Sequence, residues 1–497
     1  MPQTQSIHVR GPILLLRLTF FCAASAICGS ARAQTNPVLT WITNSSVKLQ
    51  QLIGEKGVTN STATYVTDTD RQTGSNLLNQ TYGLYQVGGT DLGTSFEFGG
   101  KVNFLFGDTL YLDAGDTMAW STSTNPLTGL LLNFFTNNSG PNIALTITPT
   151  NVDMGPFDVP AAGVSNNGGF YIVCKTGFSS ATADTNDYSV LVLFDETNNT
   201  FYTGRTISVL TNGGHFIDMA LCHFGANILM FGLGYYRASA IYLATVPATN
   251  FDSGDGTLYF TGLTNGQPSW SAVETNAVPL VTDNPTNPTI GNASVNYSPA
   301  AGLWLMTFDA GRQKPGANGV FFAFATAPWG PWSTPQLIFN PSRDGAAGVY
   351  IYDAANSTGP AGPTIDPAIN LPNSTQGGDY AANMIERFTT VQNNTLTIYY
   401  TMSTWNPYTI VLMKSDFTII PQIDPQTMVF DNKKFSFSWS APTNGTYQVD
   451  YSSNLLNGWT TFTNIITSTN GTFNFSDNGA NTGGFGNSKF YRLRTSP

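Results

Sequence analysis

The sequence predicts an all-β chain, a five-bladed β-propeller followed by a small C-terminal β-sandwich, on three observations. A pattern of three strands recurs five times between Asp91 and Lys414. No stretch from Gln34 to Asp424 holds a convincing amphipathic helix. After Pro421 the rhythm changes to short alternating strands. Composition agrees, since 49 glycines, 28 prolines and only 10% charged residues suit short strands, many turns and a neutral polar ligand surface.

Each copy of the pattern is a strand, a tight Gly or Asn turn, a very apolar strand, a loop and a third strand. The copies are expected at 91–98, 101–108 and 117–123; at 161–165, 170–176 and 188–195; at 216–224, 228–232 and 238–246; at 292–297, 303–308 and 320–327; and at 380–391, 396–402 and 409–414. Residues 142–148, 206–210 and 336–339 are candidates for outer strands. Radial repetition hides sheet edges and brings the first strands together on a central channel, so function is expected where those strands begin. Part of the stretch from Gln34 to Gly88 is expected to close the ring by pairing with the last blade. The propeller then spans 34–425. The tail at 426–497, with Phe435 to Trp439, Tyr447 to Tyr451 and Phe490 to Arg494, has the size of a fibronectin-III-like sandwich. A spacer or surface-attachment role is expected for this module, with glycan binding through Trp459 as the alternative.

Residues 1–33 read as a secretion signal. His8 and Arg10 precede an apolar run to Cys28, broken by Arg17, and Ala31-Arg32-Ala33 has the small-x-small form of a cleavage site. Such a run is too short and too interrupted to anchor the chain in a bilayer. The expected location is therefore secreted, periplasmic or at the outer cell surface, after cleavage near Ala33. Three arginines and no acid leave with the leader, which moves the formal charge from -10 to about -13. An acidic chain without basic clusters argues against nucleic acid and anionic membrane as partners. Cys174 and Cys222 remain, one possible bridge or, more plainly, two buried thiols.

Only His215 and His223 follow the leader, and neither a Gly-x-Ser-x-Gly elbow nor a His-Glu-x-x-His motif is present. Serine triads, zinc sites and other metal centres are therefore not expected. Carboxylates remain. If Gly99-Gly100 is a two-residue hairpin loop, Phe98 faces Lys101, and counting back along both strands sets Asp91 opposite Asp108. Opposed residues hold their Cβ atoms about 4.5 to 5.5 Å apart, so the carboxyls can spread to about 5 to 9 Å, the range of glycosidase pairs. A bulge at Gly93 or Gly107 would slip that register by one. Two adjacent acids disfavour double ionisation, so one stays protonated and the other ionised, as glycosidic hydrolysis requires. The plain alternative is that Asp108 ties a turn and Asp91 caps a strand.

The chain also resembles a known family. Gly89-Thr-Asp-Leu-Gly93, Phe104-Leu-Phe-Gly-Asp-Thr109, Tyr236-Arg-Ala-Ser-Ala-Ile-Tyr-Leu-Ala-Thr-Val-Pro247, Ala327-Pro-Trp-Gly-Pro-Trp-Ser333 and Tyr400-Thr-Met-Ser-Thr-Trp-Asn-Pro-Tyr408 lie in that order. They resemble the propellers catalogued as domain of unknown function 4185, whose enzymatic members are classed as glycoside hydrolase family 183, endo-D-arabinanases. The resemblance implies five blades, a pocket at the ring centre, catalytic aspartates corresponding to Asp91 and Asp108, and an inverting mechanism. Asn292 departs from it, since an acidic residue is frequent at that place. Substrate contacts are then expected from His215, Asp218, Arg237, Asn292, Asp379 and Tyr380, with Trp120 and Trp405 nearby in sequence; packing between blades is the plain alternative for the tryptophans and ion pairing for Arg237.

The reading is a secreted glycoside hydrolase acting on furanosidic, D-arabinan-like polysaccharide, with Asp91 as base and Asp108 as acid. Its alternative is a non-catalytic propeller that binds glycan. No cofactor is required, structural calcium is not indicated, and a monomer is expected.

Overall fold

The computed structural model describes residues 9–10, 37–54, 59–60, 63–64, 68–110, 112, 115–137, 142–177, 186–311, 319–360, 376–443, 445–455, 458–485 and 488–495. The leader and its cleavage site, expected at 1–33, lie outside these residues apart from 9–10. Among the described residues no helix is long and apolar enough to cross a membrane.

The architecture is all-β and propeller-like. Five antiparallel sheets follow one another along the chain, and their first, inner strands are Asp91–Phe98, Val159–Asn166, Asp218–Phe224, Ile290–Ser298 and Gly378–Met384. Each inner strand touches the next, and the fifth touches the first, so the five form a closed cycle. Val38–Trp41 and Val47–Gln51 both pair with the last long strand, Thr409–Ile420, so the N-terminal stretch closes the cycle as expected.

Apolar side chains fill the seams. Leu105 and Met118 of the first sheet pack with Phe170, Ile172 and Val192 of the second, and Val173 of the second with Met219 and Met230 of the third. Phe231 and Leu243 meet Trp304 and Phe308 at the third seam. Phe322 and Leu305 meet Tyr400 and Phe417 at the fourth, and Phe104 and Phe106 meet Ile410 and Leu412 at the fifth. This explains why the second strands read as continuous apolar runs: both of their faces are covered. Complete burial of each such aromatic contributes about 1.5–3 kcal/mol.

Most strands fall where the repeats place them, and the differences have local causes. The first outer strand is Asn133–Phe134, not 142–148, which contributes only the bridges Thr117–Thr146 and Thr136–Ala144. The third sheet gains an unforeseen hairpin, Leu258–Thr264 with Gln267–Ser271, built on an Asn265-Gly266 turn whose residues both have positive φ. Residues 380–391 are not one strand. The chain leaves the sheet at Ile385, makes the short helix Glu386–Phe388 and re-pairs at Thr390–Gln392.

The expected register of the first hairpin is corrected. From Phe98–Lys101 to Thr94–Leu105 it is as predicted, but a bulge between Leu92 and Thr94 slips it, so Asp91 faces Gly107 and not Asp108. Leu92 and Gly93 take φ of 63° and 72°, and a Cβ at Gly93 would stand 3.0 Å from Thr401 in a backbone conformation that side chains rarely adopt. The displaced carbonyls are satisfied by the fifth sheet: the Asn383 amide donates to Leu92 O at 3.0 Å and the Thr401 hydroxyl to Gly93 O at 2.9 Å. Bulges also interrupt the entries of the second, fourth and fifth inner strands.

In the tail, Val429–Asp431, Lys434–Ser440 and Thr472–Asp477 form one small sheet, while Tyr447–Ser452 pairs with Thr460–Thr461 and Ser488–Thr495 in another. Both contribute to one aromatic core around Phe437, Trp439, Tyr447, Phe473 and Tyr491. The Tyr447 hydroxyl donates to Asn394 Oδ1 of the fifth sheet at 2.6 Å. Cys174 and Cys222 are free thiols on different sheets, and the Cys222 thiol donates to Val295 O.

Candidate active site

Each inner strand carries an acid or its amide within two residues of its first position: Asp91, Asp158, Asp218, Asn292 and Asp379. Closure of the ring brings these entries together. Asp91 is 8% exposed. Its Oδ2 accepts a 2.9 Å hydrogen bond from the Tyr380 hydroxyl, and its Oδ1 has no partner within the chain. Gly107 directly opposite is what admits this carboxyl, because a Cβ there would run into Asp91 Oδ1. Burial raises the pKa of Asp91 to about 6, opposed by the Tyr380 hydroxyl, which favours the ionised form. The Tyr408 ring closes the same wall, and its buried hydroxyl lies beside the Asp91 carboxyl, favouring the ionised form as the Tyr380 hydroxyl does.

Asp108, just beyond the end of the second strand, is 2% exposed and accepts the backbone N–H of Phe157 at 2.9 Å. Burial first and the charge of Asp91 second hold it well above the usual carboxylate range. Despite the slipped register, the two carboxyls therefore remain electrostatically coupled. Behind them lies Asp116, fully buried, with both oxygens unpartnered and its pKa pushed well up by burial. Lys175, paired to Asp187 at 2.8 Å, supplies a compensating positive charge.

On the third and fourth entries Asp218 and Asn292 meet: the Asn292 amide donates to Asp218 Oδ2 at 2.7 Å. Burial raises Asp218 to about 7. Asp309, absent from the sequence-based candidates, organises this side. It accepts the backbone N–H groups of Asn292 at 3.0 Å and Ala381 at 3.3 Å, and pairs with Arg237 at 3.0 Å. Arg237 also donates to Gly311 O and lies over the Tyr236 ring. The sequence signal for Asp309 is an acid at the far end of a largely apolar second strand, the place that Asp108 occupies after the corresponding strand of the first sheet.

On the fifth entry Asp379 is 1% exposed with both oxygens without a hydrogen-bond partner, and burial pushes its pKa well above the usual carboxylate range. Trp405 packs edge-on against Tyr408 with its indole N–H unpartnered. His215 stacks on Tyr242 at 3.9 Å, half-buried near the entry of the third strand, and burial lowers its pKa. Trp120 is not with the others. It pairs with Asn103 towards the far end of the first sheet and lies under the Lys101 ammonium at 4.3 Å, about 15 Å along the strand from Asp108.

Two features mark this end of the ring. Unpartnered buried polar atoms concentrate here, on Asp91, Asn292, Arg237, Asp379 and Trp405, whereas buried polar atoms are ordinarily satisfied. Non-glycine residues in the left-handed region also gather here: Leu92, Phe157, Arg237 and Ala381, with φ between 49° and 72°. Such conformations cost on the order of 1–3 kcal/mol each and cluster where function demands them. Among the described residues no group of three or more His, Cys, Asp or Glu is disposed to hold a metal ion.

No curated protein matches the sequence. Solved structures similar to the chain include the native arabinanase of Bacillus subtilis, at 12% identity over 65% of this chain and 92% of that one with a TM-score of 0.36. An α-L-arabinofuranosidase from Podospora anserina matches at 11% identity over 75% and 97%, TM-score 0.35. An exo-β-1,3-galactanase from Phanerochaete chrysosporium matches at 9% identity over 89% and 96%, TM-score 0.39. The model of one family, described as a domain of unknown function (DUF4185), matches residues 77–414, which takes in all five sheet entries and every residue of the site described above. The chain belongs to the DUF4185 family.

Proposed function

We propose that the chain is a secreted glycoside hydrolase: a five-bladed propeller at 34–425 carrying the reaction, and a β-sandwich at 426–497 serving as a spacer. The observation that supports it best is the unequal pair Asp91 and Asp108. Both are desolvated, but a hydroxyl donor favours the ionised form of Asp91, while burial first and the charge of Asp91 second hold Asp108 well above the usual carboxylate range. Near neutral pH this leaves one base and one acid at a single site.

In the proposed reaction Asp108 protonates the glycosidic oxygen as its bond to the anomeric carbon breaks. Asp91 removes a proton from the water that attacks that carbon from the opposite face. The bulge bears on stereochemistry. By moving Asp108 out of direct opposition to Asp91, it favours the wider spacing that accommodates a water, and hence inversion. Asn292, Arg237 and Trp405 then offer unpartnered donors and acceptors to sugar hydroxyls. A furanosidic, D-arabinan-like polysaccharide is the substrate proposed, on the motifs shared with the endo-D-arabinanases. For the C-terminal module a spacer role is preferred because Arg492 stacks over the Trp459 ring at 4.3 Å, covering one of its faces.

The second reading, a glycan-binding propeller without turnover, is favoured by the 2% exposure of Asp108 and by Asn292 standing where the other entries carry acids. Purified protein incubated with arabinans and other furanosides separates the two. Chain shortening that falls at least about 100-fold in Asp91→Asn and in Asp108→Asn, with binding kept, supports hydrolysis. Binding with no new reducing ends in the wild type supports the second reading.

A further inference from the structure

At the opposite end of the ring a cavity of about 340 Å³ opens between the first, fourth and fifth sheets. It is separate from the site above: Glu97 on its wall lies six residues along the inner strand from Asp91, about 20 Å away. One wall is a closed ion pair, the Arg387 guanidinium donating to both carboxylate oxygens of Glu97 and to Gly100 O. Facing it is Tyr297, 39% exposed, its ring braced against Trp304 at 5.4 Å between centroids. Thr389 contributes a buried hydroxyl without a hydrogen-bond partner, and Glu386 stands exposed at the mouth.

These groups define a ligand. Arg387 is already neutralised by Glu97, and Glu386 adds a second carboxylate beside Glu97, so phosphate, sulfate and uronate are disfavoured. An exposed aromatic face beside fixed carboxylate acceptors and a free hydroxyl matches a neutral pyranose or furanose, which presents a C–H face and a rim of hydroxyls. The volume is at the small end of ligand pockets, enough for one or two sugar units. We propose that this cavity is a second, non-hydrolytic glycan-binding site, with Tyr297 as the stacking platform and Glu97, Arg387 and Thr389 as the hydroxyl partners. The ligand class is argued from the cavity alone and does not depend on turnover at the axial site. Placed on the far face, it would hold one stretch of a polysaccharide while the axial site engages another, which raises effective concentration.

The test titrates full-length Asp91→Asn protein with tetrasaccharides of arabinofuranose, xylose, galactose and glucose, following binding by calorimetry and ligand-observed NMR. Wild-type turnover of the same sugars is measured separately. At least one tetrasaccharide is expected to show a binding component that Tyr297→Ala, added to Asp91→Asn, weakens tenfold or more. Thr389→Val, nearly isosteric and away from the Trp304 contact, should weaken the same component and guards against misfolding of the first variant. If no tetrasaccharide shows a component sensitive to either substitution, the second site is wrong, whatever the axial site does. If such a component appears while no sugar is hydrolysed, the second site stands and the hydrolytic reading fails.

Discussion

The Tyr380 hydroxyl donates a 2.9 Å hydrogen bond to Asp91 Oδ2, joining the fifth sheet to the first across the seam where the ring closes. These residues lie 289 positions apart, so the proton affinity of the proposed base depends on closure of the whole ring.

Removing that bond tests the dependence. In Tyr380→Phe the ionised form of Asp91 loses a charge-assisted donor, so its pKa rises from about 6. The acidic limb of the rate profile should move to higher pH by about one unit or more, with activity at pH 8 less affected than at pH 6. A profile that falls uniformly without moving would show that Tyr380 acts on Asp91 by packing alone.

Asp218 provides a stability measurement. Its folded pKa, about 7, lies above the ordinary 3.8, so the folded state holds this proton more tightly than the unfolded chain does. The resulting stability is fully present below about pH 4 and is lost as pH rises through 7. Asp218→Asn keeps an acceptor for Asn292 and carries no charge. It should be more stable than wild type at pH 8, by at most about 4 kcal/mol, with the gain vanishing near pH 4 in urea titrations.

Gly107 is predicted to be intolerant of even one carbon. In Gly107→Ala the new methyl meets Asp91 Oδ1, Val159 Cγ1 and Leu92 Cδ1, which are packed side chains in a bulged strand. A stability loss of about 1–3 kcal/mol is expected, together with a turnover defect from the displaced carboxyl. Unchanged kcat in a steady-state assay would mean that Asp91 is not where the reaction occurs.

Asp309 should behave as a structural hub. Asp309→Asn leaves the Arg237 cation, 7% exposed, without its counter-charge, and should cost about 3–5 kcal/mol in a denaturant melt. Pairing the change with Arg237→Met should recover part of that loss. A double variant no more stable than the single one would place the cost elsewhere, in the hydrogen bonds to Asn292 and Ala381.

How far the sequence reaches is seen by comparing particular elements. The strand 188–195 and the outer strand 336–339 were expected to the residue, because period and turn chemistry are encoded within a dozen neighbouring positions. Placing Trp120 at the site failed for the opposite reason: adjacency in sequence to the first hairpin says nothing about which end of a strand faces the axis.

The sequence by itself determined the recurrence of a three-strand pattern, the apolar second strands, the turns between them and the presence of acids at the strand entries, since each is a local property of residue type and spacing. Tertiary structure decided the rest. Thr401 and Asn383 hold the bulge that slips Asp91 past Asp108, Asp309 draws three sheets onto one carboxylate, and, with both acids buried, the hydroxyl donors beside Asp91 and the charge of Asp91 beside Asp108 set their proton affinities apart. Those effects depend on desolvation and on partners hundreds of residues away, which exist only once the ring has closed.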